Sequence, residues 1–370
     1  MRLTTRLPRS RQTGFSLVEL MVGMAIGLLA TIIVIQVMSV FDAQRRTTTG
    51  SADAQTNGGI ALYSIQREMK VAGYPLLPIG DSALECTTLN LNTGATGITG
   101  LTPVTITNGV AATGVNASDR ITIRYGGSQM GGVASQVTAA VTAGSPPAVN
   151  VGNSLGCKAN DIVLISSAAV CNMSKVDSTF DAAATPTSIK VADATGGGTI
   201  GANVACLGSW TEVTYAVNQA TGNLERTVQV NGAAAVTTPS VVGIVNLQAQ
   251  YGISATPSSN QVTEWVDASG ATWAAPSVTN RNRIKAVRIA VVARNERREG
   301  EDVTAACSSL TAAAPTGLCA WPATVTFDGT AWPAPSVDLS PGDADWAKYR
   351  YRVYETIIPL RNVIWSKDVL

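Results

Sequence analysis

From Leu20 to Phe41 the chain runs 22 residues without a charge. As a helix rising about 1.5 Å per residue, that stretch is roughly 33 Å long. A bilayer core is about 30 Å thick, so the stretch is long enough to span it. Thr31 and Ser39 are polar but leave the run apolar. A secretory signal peptide has a shorter apolar region, about 7–15 residues, closed by a small-residue cleavage site. No A-x-A-like site closes this one. Ahead of it stand Arg2, Arg6, Arg9 and Arg11, which hold the N-terminus in the cytoplasm by the positive-inside bias. A plain signal anchor explains the span and the arginines. It does not explain Glu19, a carboxylate at the start of the apolar helix, which costs on the order of 2.5–3.5 kcal/mol on insertion scales. A chain that keeps such an acid is expected to find it a partner charge.

The junction Gly14-Phe15-Ser16-Leu17-Val18-Glu19, behind a basic leader and ahead of the apolar run, resembles the class III signal of type IV prepilins and pseudopilins. The resemblance implies cleavage between Gly14 and Phe15 by a membrane-embedded prepilin peptidase, with N-methylation of Phe15. It also implies a helix that first anchors the subunit in the inner membrane and later packs in a filament core. The amine freed at Phe15 can stay protonated, and Glu19 of one subunit can reach the amine of a neighbour. Each charge then offsets the burial cost of the other. Gly23 and Gly27 form a small-xxx-small pair suited to close helix packing in lipid. The span has no proline, and Gln36 sits where many major pilins carry a kinking one.

The full chain has 26 basic and 25 acidic residues. Loss of residues 1–14 removes four arginines and no acid, leaving a net charge of −3. No basic field for nucleic acid is implied, so no nucleic-acid partner is expected. Only 14% of residues are charged, and Gly, Ala, Thr and Ser abound, which suits an extracytoplasmic, β-rich protein. All six cysteines, Cys86, Cys157, Cys171, Cys206, Cys307 and Cys319, follow the span, on the side predicted to be the oxidising periplasm. Six thiols allow 15 pairings. Cys307 with Cys319 is the first expectation, and Cys171 with Cys206 or Cys157 a weaker one. There is no CxxC and no histidine, so neither a metal site nor a cofactor is expected.

Beyond Phe41, Asp42, Gln44, Arg45 and Arg46 mark the exit into water. Leu62, Ile65, Met69 and Ala72 then recur at spacings of three and four, predicting one long helix with Gly58 as the place for a bend. Gly73 and Pro75 end it. Residues 76–118 and 126–160 read as loops and short strands. Period-two alternation predicts strands at Asp119–Tyr125, Asp161–Ser166, Val241–Ile253, Ile284–Ala293 and Arg350–Pro359. A hairpin is expected from Glu212–Val217 and Leu224–Val230, and all these strands are expected to complete one sheet. Trp265 sits in a stretch that reads as a surface insertion packing on its own loop. The expected fold is α+β and pilin-like: leader 1–14, membrane and filament helix 15–41, periplasmic helix half 42–74, and an antiparallel β-rich domain over 75–370.

Further stretches resemble one branch, the PilW-type minor pilins. These are Asn57–Leu62 running on to Arg67–Tyr74 with its AGY close, Ser118-Asp119 with the strand after it, and Asn160–Ser166 leading to Cys171. Val245–Gln248, Tyr251-Gly252, Val287–Ala290, Tyr349–Tyr354 and Leu360–Asn362 extend the resemblance to the C-terminus. The long Thr/Gly/Ala segments 87–115 and 127–160 depart from it. Arg67, Arg352 and Arg361 read as surface or loop-bracing cations. Asp343 and Asp345 supply too few oxygens for calcium, which wants about six to eight.

The branch implies a minor pilin that helps prime type IV pilus assembly at or near the tip. Its partners would be the prepilin peptidase, the major pilin, other minor pilins and a large tip adhesin. Alternatives are a minor pseudopilin of a type II secretion system, or a tip adhesin or DNA-uptake module. For DNA the cluster Arg294, Arg297 and Arg298 is the place to look, but Glu296 and Glu299 interleave it, and it reads as a solvated turn. An enzyme is not expected, because without histidine no Ser/His/Asp or Cys/His arrangement exists.

Overall fold

The computed structural model describes residues 14–76, 86–92, 100–109, 117–167, 170–194, 199–308, 316–321, 325–327, 330–332 and 337–364. The leader arginines and parts of segment 87–115 lie outside the described residues. Contacts divide the chain into two units, Met1–Ser51 and Ala52–Leu370. The architecture is α+β: one long N-terminal helix, α1 (Leu17–Met69), followed by a domain built of strands.

In chain order the strands are β1 (Thr88–Asn92), β2 (Val104–Thr107), β3 (Arg120–Tyr125), β4 (Ser135–Thr142), β5 (Ala148–Val151), β6 (Ile162–Ser167), β7 (Val170–Lys175), β8 (Ser188–Lys190) and β9 (Asn203–Gly208). Then come β10 (Thr211–Asn218), β11 (Asn223–Val230), β12 (Val236–Val242), β13 (Ile244–Ser254), β14 (Val262–Val266), β15 (Ile284–Arg298), β16 (Val325–Phe327), β17 (Thr330–Trp332) and β18 (Tyr349–Pro359). Short helices α2 (Gly270–Trp273), α3 (Val278–Arg283) and α4 (Arg361–Ile364) complete the elements.

The expected strands form, but in more than one sheet. A five-stranded sheet runs β12-β11-β10-β3-β2, and a four-stranded sheet runs β14-β13-β15-β18. The predicted strand Val241–Ile253 is cut at Gly243, whose φ of +72° a β-branched residue would resist. Val241 and Val242 pair with β11, while Ile244 onward pairs with β15. The hairpin β10–β11 turns at residues 219–222, as the alternation implied. The Thr/Gly/Ala region holds more order than expected: a seven-stranded sheet of order β1-β7-β6-β9-β4-β5-β8, antiparallel except where β1 meets β7.

One core joins the second part of α1 to the five- and four-stranded sheets. In β15, Val287, Ile289, Val291 and Ala293 face that core, while Ala290 and Val292 face a second cluster with Leu318, Trp321 and Leu339. Both faces are covered, which is why Ile289–Ala293 within this strand is apolar without a break.

The three disulfides are Cys86–Cys171, Cys157–Cys206 and Cys307–Cys319. The short loop closes as expected. Cys171 does not pair with Cys206 or Cys157. Along β7 it faces the cluster containing Leu76 and Cys86, whereas Cys157 and Cys206 lie together in the cluster on the other side of the seven-stranded sheet.

Candidate functional site

In the first unit, α1 starts at Leu17 because Ser16 caps it. Its carbonyl accepts from Leu20 N at 3.1 Å and its hydroxyl from Val18 N at 3.3 Å. Glu19 lies in the first turn, completing an S-x-x-E signature and placing a negative charge where the helix dipole favours it. Gly14 and Phe15 therefore stay outside the helix. Among the described residues nothing lies within 4 Å of where a Gly14 Cβ would be, and Phe15 is 84% exposed.

From Gly14 to Asp42 every side chain is exposed. Among the described residues, α1 is the one helix long and apolar enough to cross a membrane. The hydroxyls inside it bond their own helix: Thr31 donates to the Gly27 carbonyl, and Ser39 to that of Gln36 at 2.8 Å. This satisfies both donors without water, as a lipid or filament interior requires. So long an apolar surface, uncovered among the described residues, is of the kind that lipid or another protein chain covers. Gly23 and Gly27 lie on the bare surface, each with nothing within 4 Å of its Cβ position.

In the second unit, α1 is seated. Ala54, Gly58, Ala61, Ile65 and Met69, at helical spacing, are all buried. Each large apolar member contributes about 2–3 kcal/mol. Helix α1 continues through Gly58, which meets another need than the expected bend. A Cβ there would fall 2.1 Å from the Tyr354 ring on β18.

Glu68, on the same buried side, accepts from Arg226 Nη2 at 2.7 Å and from the Tyr125 hydroxyl at 2.9 Å. Burial, with the bond to Glu68, pushes the Tyr125 phenol up to about 12. Past Met69, Gly73 takes φ +78° and its N–H bonds the Arg124 carbonyl. Asn362 donates to the Ala72 carbonyl at 3.0 Å, and Tyr74 to that of Ser128 at 2.8 Å.

A second clasp joins the two sheets. Asp119 accepts from Gly109 N and Ala249 N, both at 2.7 Å, and Asn246 and Gln248 both donate to the Ala117 carbonyl. Burial pushes the Asp119 carboxyl up to about 6 against those two hydrogen bonds, which pull it down. Motifs that lie up to 290 residues apart in sequence, such as the AGY close and Leu360-Arg361-Asn362, thus meet around the helix seat.

Other expectations are corrected. Trp265 is on β14 and lies across Gly252 of β13, not on its own loop. The Arg288 guanidinium is 5.1 Å from the Trp265 ring and 4.4 Å from that of Trp321, and burial lowers its pKa to about 9. Arg294 and Arg298 belong to β15 rather than a turn, and they consume the acids of the 343–345 loop. Arg294 pairs with Asp343 at 3.2 Å and Arg298 with Asp345 at 3.0 Å. Arg298 and Lys348 hold the Asp345 carboxyl down at about 2. Arg297 pairs with Glu299 at 3.8 Å. Arg67 is mostly exposed, 3.7 Å from Glu68, and Arg361 opens α4.

Sequence reasoning passed over Glu68, Asp119's clasp and the Ser16 cap. The S-x-x-E spacing announced the cap, and an acid one residue before the core-facing Met69 was the available sign of a buried pair.

An exposed apolar helix behind a capped, accessible Gly-Phe junction, followed by a clasped β domain, defines a membrane-anchored, pilin-like protein. Residues 9–35 match the family model of the prokaryotic N-terminal methylation motif. Residues 214–362, from β10 to α4, match that of the type IV pilus-assembly protein W. The two matches support a type IV pilus minor pilin of the PilW type. The seven-stranded sheet lies outside both matched ranges. No curated protein and no solved structure matches the chain.

Proposed function

We propose that the chain is a non-enzymatic minor pilin that helps prime type IV pilus assembly at or near the pilus tip. Before assembly it is held in the inner membrane by a single pass, with its β domain in the periplasm. Prepilin peptidase cuts between Gly14 and Phe15 and Phe15 is N-methylated, leaving 15–41 as membrane and then filament helix, 42–74 as periplasmic helix and 75–370 as head. The observation that carries the reading is the bare apolar helix with an acid in its first turn, within a matched methylation motif. Glu19 then meets the amine of a neighbouring subunit, and Gly23 and Gly27 let helices approach closely. A head of this size suits a tip better than a tight filament interior. The major pilin, other minor pilins and a large tip adhesin are the neighbours this position implies.

Glu19→Ala is expected to leave membrane insertion intact and to reduce pilus number, counted by electron microscopy. Normal piliation in that variant would refute the docking role. Normal piliation with lost secretion after deletion of the gene would favour the secretion pseudopilus.

A further inference from the structure

The five-stranded sheet has a buried face and an outer one, and the outer face is unusual in its side chains. Register places Thr105, Thr122, Thr214, Thr227 and Thr237 on one rung, one from each strand. Their hydroxyls bond in pairs, Thr122 to Thr214 at 3.0 Å and Thr227 to Thr237 at 2.8 Å. Two residues along β3 and β10 from the rung, Arg124 and Glu212 pair at 3.1 Å with side chains only 6% and 5% exposed, although both lie on the outer face. The rung, this pair, Arg120, Glu225 and Gln229 line a concave space of about 520 Å³. That is within the range of small-ligand pockets, about 300–1,000 Å³.

We propose that this face binds a neutral, polyhydroxylated ligand, a short glycan of two or three sugar units. The lining excludes other classes. Among the described residues its apolar side chains are Ala216 and Ala235 alone, too small for an apolar ligand. Arg120 and Arg124 are balanced by Glu212 and Glu225, so no polyanion is favoured. What remains is a rank of groups that both donate and accept, the property of sugar hydroxyls. The threonine methyls supply contact for sugar C–H groups. Successive strands about 4.8 Å apart repeat the hydroxyls at intervals close to the size of a sugar ring.

The test uses the full-length chain in lauryldimethylamine oxide, a detergent without a sugar head. It is screened on a printed array of neutral di- to tetrasaccharides, and the best binder is titrated by calorimetry. Thr122→Val with Thr214→Val removes a bonded hydroxyl pair without changing shape, so the thermal midpoint should hold. Kd for the saccharide should rise at least about tenfold. Thr227→Val, on the next strand, is a second variant expected to weaken binding. Pilus number should be normal in both, which separates this proposal from the assembly reading. No array binding at millimolar concentration, an unchanged Kd, tighter binding to heparin, or loss of pili in the variants would each overturn it.

Discussion

One helix is in two situations. Over residues 17–41 α1 carries its apolar side chains uncovered, while over 52–69 every third or fourth residue is buried against strands far along the chain. Secondary structure is the same in both, and the source of stability differs. The back part is held by partners within the chain: Tyr354, Arg226, Tyr125 and the sheets behind them. Among the described residues nothing covers the apolar side chains of 17–41, and on the proposed reading their partners are lipid or other subunits. Substitutions should therefore act on folding in one part and on assembly in the other.

The sharpest way to break that contrast is at the glycines. Gly58→Val drives side-chain carbons into the Tyr354 ring and is expected to cost at least about 3 kcal/mol. Gly27→Val, with open space around it, should change head-domain unfolding by less than about 0.5 kcal/mol. Urea unfolding of the full chain in detergent compares the two. In the Gly58→Ala background, Tyr354→Ala should recover part of the loss.

A smaller effect separates the two parts by pH. The Asp119 carboxyl is raised from 3.8 to about 6 in the folded head. The folded state thus holds its proton more tightly than the unfolded one. The stability this gives is full below about pH 3.8 and is lost as pH rises through 6, a decline of about 3 kcal/mol. Asp119→Asn should flatten that slope in thermal melts. An equal slope in both proteins would contradict the assignment.

Glu68→Gln is expected to cost about 2 kcal/mol, by weakening bonds to Arg226 and Tyr125 at once. Pilus number should fall only in proportion to the folded protein present, unlike with Glu19→Ala.

The front part was legible in the sequence because its determinants are local. Charge-free length, the Gly-Phe junction and Glu19 all lie within a few turns of one another. The back stripe of Ile65, Met69 and Ala72 was legible for the same reason, as a period of three and four. What faces it was not, because Tyr354, Arg226 and Asn362 lie 158 to 296 residues from their partners on or just past the helix. The division into separate sheets hangs on the backbone angle of Gly243, which period-two alternation passes straight through. The cysteine pairing was hidden likewise, since which face of the seven-stranded sheet each thiol joins depends on register across strands. The threonine rung shows as ordinary alternation in each strand and becomes a surface only when five strands align.

The central claim is that residues from Phe15 on leave their leader behind and enter a filament. Mass spectrometry of pili sheared from cells tests it directly. The account predicts this chain in the sheared fraction, with an N-terminal peptide that begins at N-methylated Phe15 and no trace of residues 1–14. A chain that keeps its leader, or that remains wholly in the membrane fraction of piliated cells, would contradict it.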